Sequence, residues 1–282
     1  MRTQVQVFPF DLFGSSGTGA GAQLLGDAVR EIIDDTAKEA RPSRADAFRG
    51  KIRVRETTFE TLAQVADWRK RGRQLARQGL KGSDFLIWLG GNHLSVLPVL
   101  EELGASDPDR TLVVQFDAHL DIYAFHDTTA ELSHGNFLVH AAGPLPRLVN
   151  VGHRDLFLAP AETVGTFAAT LSAAELATQP DKVIQSLRAE AAAADRVWID
   201  LDCDAFDPAH MPGVQQPLPF GLSPPVFLRL LDAVWSPKVV GVSISEFDPG
   251  RDVRDMSLEL LGWLIEFILL KRHETEATAG RG

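Results

Sequence analysis

Three side chains that can bind metal, Asp117, His119 and Asp121, close the apolar run Val113-Val114-Gln115-Phe116 at a spacing of two. In an extended backbone alternate residues share a face, so this spacing brings all three to one side of a strand end. A second run, Val197-Trp198-Ile199, closes with Asp200, Asp202 and Asp204 in the same rhythm. Carboxylates crowded at a strand end repel one another unless cations lie between them. His93 and Glu246 follow two further apolar runs. His93, Asp117, His119, Asp121, Asp202 and Asp204 make an oxygen-rich donor set that suits Mn²⁺ or a similar divalent ion, with Ni²⁺ also open. Six ligand residues exceed the needs of one ion, so two ions bridged by shared carboxylates are expected, roughly 3.5 to 4 Å apart in such sites.

The elements that must position these groups follow from the pattern of the chain. Strands are predicted at Val5 to Phe10, Lys51 to Arg55, Asp84 to Leu89, Thr111 to Phe116, Arg147 to Val151, Arg196 to Leu201 and Val239 to Ile244. Helical stretches alternate with them, at Leu24 to Ala40, Thr61 to Gln78, Ser95 to Leu103, Pro180 to Ala194 and Pro224 to Trp235. This alternation implies an α/β fold, a single three-layer αβα domain over residues 1 to 282 with a mostly parallel central sheet. Ligands of such a sheet bind beyond the carboxyl ends of the strands, where every suspect polar residue stands. The glycine-rich stretch Gly14 to Gly21 lacks the Lys-Ser/Thr ending of a phosphate loop and is read as a rim loop or turn. The basic helix carrying Arg69, Lys70, Arg71, Arg73 and Arg77 is read as a solvated face or subunit contact.

A net charge of -10 removes the electrostatic reason to bind nucleic acid or an anionic membrane, and favours a cationic or neutral small substrate. Cys203 is the only cysteine, which excludes an internal disulfide and suits a cytoplasmic protein. The first residues lack a signal-peptide pattern. The apolar run Leu258 to Leu270 contains Glu259 and Glu266, is short for a bilayer span, and is read as a packed terminal helix.

With these residues in place the chain resembles the ureohydrolase superfamily, the arginases, agmatinases and other amidinohydrolases. The resemblance rests on Gly90-Gly91-Asn92-His93, Asp117-Ala118-His119-Leu120-Asp121, His134-Gly135, Asp200-Leu201-Asp202-Cys203-Asp204-Ala205-Phe206-Asp207-Pro208, Pro212-Gly213 and Glu246-Phe247-Asp248-Pro249, in the order of the family. It implies one ion held by His93, Asp117, Asp121 and Asp202, and another held by His119, Asp117, Asp202 and Asp204. It further implies a bridging hydroxide that attacks the guanidinium carbon, with Asp121 orienting it and His134 shuttling protons. Glu246 would grip the guanidinium. Arg154 is read as structural pairing near the site, Asp207 as a turn cap, and the remaining histidines, His273 among them, as surface or supporting residues.

Two departures concern the metal site: Asn92 stands where the family has aspartate, and Asp200 where it has serine. Others concern the substrate. Tyr123 and Phe157 replace the polar residues with which arginases hold the amino-acid end of L-arginine, and Tyr123 is similar to the agmatinase group. Tyr123, His126, Phe157 and Gln215 are the predicted pocket residues. An agmatine-like guanidino compound releasing urea is the leading expectation. A formiminoglutamase-like hydrolase and a non-catalytic metal-binding or assembly subunit are the alternatives, and the resemblance implies a homo-oligomer, trimer or hexamer.

Overall fold

The computed structural model describes residues 2–82, 84–123, 131–156, 158 and 160–279. One sheet of eight parallel strands organises them: β1 (Thr3–Phe8), β2 (Ile52–Glu56), β3 (Phe85–Gly90), β4 (Thr111–Phe116), β5 (Arg147–Val151), β6 (Ala169–Leu171), β7 (Arg196–Asp202) and β8 (Val239–Ser245). Their spatial order is β2-β1-β3-β8-β7-β4-β5-β6. Between them run α1 (Thr18–Lys38), α2 (Leu62–Ala66), α3 (Trp68–Gly79), α4 (Leu97–Ser106), α5 (Ala173–Thr178), α6 (Pro180–Ala193), α7 (Pro224–Val234) and, last, α8 (Met256–Ala279). The predicted α/β class is therefore observed.

Strands buried on both faces read as continuous apolar runs, and β3 and β4 are buried throughout. Period-two alternation divides their side chains between two cores. Ile87, Leu89, Val114, Phe116, Ile199 and Leu201 face the helices α1, α6, α7 and α8, whereas Leu86, Trp88, Val113 and Trp198 face α3 and α4. The terminal helix packs Leu261, Leu264, Ile265, Ile268 and Leu269 into the first core. No described helix is long and apolar enough to cross a membrane.

The order β3-β8-β7-β4 makes neighbours of the four strands that deliver His93, Glu246, Asp202 and Asp117. Residues separated by more than a hundred positions thus meet above the middle of one sheet edge.

Several elements depart from the sequence reading. The three-residue edge strand β6 and the short helix α5 were not predicted, being too brief for a periodic pattern. Helix α1 begins at Thr18, inside the glycine-rich stretch. There Asp11 Oδ2 accepts from the backbone N–H groups of Gly17 (2.8 Å) and Gly19 (3.1 Å), so a side-chain carboxylate holds the place a phosphate would take. The basic face of α3 is not simply solvated. Arg69 and Arg77 each grip one acid of α4 with two nitrogens, Glu101 and Glu102 respectively, and both acids are buried. Burying a carboxylate requires a paired charge, and α3 supplies it.

His273 also lies in the interior rather than at the surface, its Nε2 2.9 Å from Thr3 Oγ1 at the start of β1. Burial, reinforced by the charges of Lys51 and Arg272, lowers its pKa to about 4. The unfolded imidazole, near 6.5, takes up a proton first. The stability held by the neutral buried ring is therefore complete above about pH 6.5 and lost as pH falls toward 4. Between pH 7 and 5 the wild-type chain is expected to lose about 2 kcal/mol more than His273→Gln in urea unfolding. Parallel pH profiles for the two proteins would refute this assignment.

Candidate metal centre

His93 opens the single turn after β3, and its ring lies among carboxylates from the loop after β4 and from the end of β7. Its Nδ1 is 2.7 Å from Asp121 Oδ2 and 3.2 Å from Oδ2 of both Asp117 and Asp202. Its Nε2 is 3.0 Å from Asp200 Oδ2. A neutral imidazole carries one N–H, and the hydrogen bond to Asp200 places it on Nε2, leaving a lone pair at Nδ1. Nδ1 and Asp121 Oδ2 nevertheless have no hydrogen-bond partner, although both are buried and close together. Two lone-pair atoms at that separation converge on a point between the ligands, which is the geometry of a cation site.

A second group adjoins the first. His119 Nδ1 is 3.0 Å from Asp204 Oδ2 and 3.8 Å from Asp117 Oδ1. The ligand atoms of His93, Asp117 and Asp202 form one compact set, and those of Asp117, His119 and Asp204 form another, with Asp117 common to both. The donors therefore fit a pair of divalent cations with a bridging aspartate.

Backbone N–H groups aim these carboxylates. His119 N donates to Asp117 Oδ1 (2.6 Å), Ala118 N to Asp204 Oδ1 (3.2 Å) and Asp204 N to Asp202 Oδ1 (2.9 Å). Arg154 braces the loop after β7, donating to the carbonyls of Asp204 (2.6 Å) and Ala205 (3.1 Å), the structural role predicted for it. Asp207 accepts from Ala209 N and Gly221 N and caps the turn as expected.

The electrostatics show how strongly the cluster calls for positive charge. Burial, then the charge of Asp121, raises Asp117 to about 7, and burial with the charges of Asp204 and Asp117 pushes Asp202 well above its ordinary value. Burial alone would depress His119, yet its hydrogen bond to Asp204 and the surrounding carboxylates lift it to about 10.

Over the ligands lies a cavity of about 460 Å³ whose walls include Phe13, Gly14, Tyr123, His134, Gln216 and Glu246. His134 Nδ1 is 3.1 Å from Glu246 Oε1, which also accepts from His93 N (2.8 Å). A Cβ on Gly14 would stand 2.6 Å from the His134 ring, so only glycine lets the loop after β1 lie against that imidazole. Asp121 and Glu246 both adopt left-handed backbone, at φ 51° and 65°, a strain found where a side chain must be aimed.

A sequence model of the Arginase family matches residues 3–270. The chain belongs to that family. It is 28% identical over 173 residues to the agmatinase of Proteus mirabilis, covering 61% of this chain and 54% of that protein. It is 32% identical over 183 residues to the N(1)-aminopropylagmatine ureohydrolase of Thermus thermophilus, covering 63% of this chain and 59% of that protein. The aligned region thus spans less than two thirds of these relatives. The agmatine ureohydrolase structure of Thermoplasma volcanium superimposes with a TM-score of 0.78 at 22% identity, over 98% of this chain and 92% of that one, which places the arginase fold.

Five of the six predicted ligands, with His134 and Glu246, line this cavity, and the sixth, Asp117, is buried against His93. Of the predicted pocket residues, Tyr123 lines it, whereas His126 and Phe157 lie outside the described residues. Gln215 does not reach it: its amide donates to Asp248 Oδ2 (2.9 Å) and to Ser16 O. The lining residue is its neighbour Gln216, because a loop without regular period gives no parity from which to choose. Phe13 was not predicted, and Gly14 was placed only as part of a rim or turn. Asn92 turns away from the metal site, its Nδ2 donating to Leu12 O at 3.0 Å, a bond that an aspartate would replace with repulsion.

Since Asp117 is shared by both donor sets, Asp117→Ala is expected to abolish stoichiometric binding at both sites. Metal content after gel filtration checks this, and two ions retained would refute the shared role.

Proposed function

We propose that the chain is a metal-dependent hydrolase of linear amidines that releases urea from an agmatine-like guanidino compound. The observation that carries this reading is the pair of donor sets joined at Asp117 beside a cavity whose lining includes the His134–Glu246 pair. The names of the relatives, agmatinase and N(1)-aminopropylagmatine ureohydrolase, support the substrate class. Two divalent ions, Mn²⁺ by preference, would be held by His93, Asp117, Asp121 and Asp202 and by His119, Asp117, Asp202 and Asp204. When bound, such ions act as Lewis acids that lower the pKa of water.

The chain's own residues supply the remaining work. Glu246 accepts guanidinium N–H groups through charge-assisted hydrogen bonds and fixes the orientation of the guanidinium in the cavity. Asp121 orients the attacking water and carries its proton toward the departing amine nitrogen through Oδ2. Burial disfavours protonated His134, but the hydrogen bond and charge of Glu246 outweigh it and raise its pKa. A charged imidazole near neutral pH can hand a proton to the departing amine and recover it from solvent.

The Tyr123 side of the cavity favours a substrate without an α-carboxylate. The Tyr123 hydroxyl is hydrogen-bonded to Asp155, and burial, with that bond, pushes its pKa far above the usual phenol value. A neutral phenol committed to an acid offers a carboxylate little. The proposal includes one catalytic unit over the chain, a cytoplasmic setting and a homo-oligomer, trimer or hexamer, whose interface would cover exposed Leu156, Val164 and Phe220.

Urea release from a panel of guanidino compounds is expected with Mn²⁺, with agmatine or a close analogue turned over faster than L-arginine. Formamide from formiminoglutamate, or no turnover at full metal loading, would overturn the proposal. Glu246→Gln keeps an acceptor for His93 N but loses the charge, so kcat/KM should fall by about 10- to 100-fold with both ions retained. Unchanged kinetics would remove its proposed role.

A further inference from the structure

Asp200 is completely buried at the end of β7, where family resemblance places a serine. Its register neighbour across the sheet is Ser243 of β8. Trp198 Nε1, which can only donate, gives its proton to Ser243 Oγ at 2.8 Å. The serine hydroxyl is then free to donate to Asp200 Oδ1, at 2.6 Å. The other oxygen, Oδ2, faces His93 Nε2 at 3.0 Å. Hydrogen bonds therefore converge on Asp200, on one oxygen from the Trp198 indole through Ser243 and on the other from His93 Nε2–H. The free lone pair of that imidazole, at Nδ1, is the unpartnered atom among Asp117, Asp121 and Asp202. Among the described residues nothing comparable supports the other histidine: His119 Nδ1 itself faces Asp204, a member of the donor set.

We infer that Asp200 is a positioning residue for the His93 metal site alone, locking the Nε2–H tautomer of His93 and strengthening Nδ1 as a donor through a buried anion. The inference rests on the metal-centre reading proposed above. A carboxylate on the far nitrogen of a ligating imidazole fixes its rotation and raises its basicity, and losing such a partner typically costs 10- to 100-fold in metal affinity. The chain thereby carries a negative charge behind His93 at position 200, while position 92, beside it, is a neutral amide.

Calorimetric titration of the chelator-stripped full chain with Mn²⁺ tests this. Asp200→Asn preserves size and removes the charge. In a His119→Ala background, which leaves the His93 site, Asp200→Asn should weaken Mn²⁺ about 10- to 100-fold. In a His93→Ala background it should change affinity by no more than about twofold, because its target is gone. Equal losses in both backgrounds would show a general packing role and overturn the inference, as would equal affinity of wild type and Asp200→Asn. Should Asp200→Asn fail to fold when stripped of metal, Ser243→Ala replaces it, with a smaller loss expected at the His93 site and none at the other; no change at either would overturn the inference. A wild-type chain that takes up no Mn²⁺ would remove the metal-centre reading itself, whereas two ions held alike by wild type and variants would remove only the role of Asp200.

Discussion

Mutual repulsion among buried carboxylates governs this molecule. Asp117, Asp200, Asp202 and Asp204 are all buried near the ends of two adjacent strands, with Asp121 and Glu246 close by. Anions moved out of water repel strongly at these separations, and without a counter-charge some must take up protons. The raised pKa values of Asp117 and of both histidines express that pressure directly. Protons answer it in part. Divalent cations answer it more fully, since each neutralises two charges and satisfies lone pairs that have no hydrogen-bond partner.

A cluster so unfavourable by itself needs a stiff support. The parallel sheet provides one because β3, β8, β7 and β4 are central, buried and contiguous, so their carboxyl ends are fixed relative to one another. Backbone N–H groups then hold one oxygen each of Asp117, Asp202 and Asp204, and the other oxygen of each faces a histidine of the centre, that of Asp117 also accepting from Gln115 Nε2. Arg154 ties the loop after β7 by its carbonyls, at a position where its charge also lies close to the carboxylates. The left-handed backbone at Asp121 and Glu246 is the conformational cost of turning those two side chains inward.

The loop after β1 closes the arrangement from the other side. Asp11 anchors it to the start of α1, His134 N donates to Phe13 O, and Gly14 lies flat on the imidazole. The same loop accepts the Asn92 amide through Leu12 O, so the departure at position 92 is matched to the course of this segment rather than to a metal ion. The position of His134, and through it the proton chemistry proposed for the cavity, depends on a stretch that looks from composition like a plain flexible turn.

The candidate metal-binding residues and most of the sheet were legible in the linear order of residues because ligand-type side chains stand just past apolar runs that must be buried strands. Runs such as Phe85–Gly90 and Thr111–Phe116 have few other ways to be buried, and the ligand-type side chains just past Thr111–Phe116 marked a strand end. The extended alternation stops there, however: Asp117, His119 and Asp121 lie in the following loop and Asp121 is left-handed, so tertiary packing and not spacing alone aims them. Strand β6, the pairing of Arg69 and Arg77 with Glu101 and Glu102, the interior place of His273 and the choice of Gln216 over Gln215 were not legible in this way. Each depends on what a segment meets after folding, and neither a three-residue edge nor an aperiodic loop carries a pattern that foretells it. Asp200 shows the division most clearly: its type is plain in the chain, but its meaning arises only where sheet register sets it beside Ser243 and packing lowers His93 onto its free oxygen.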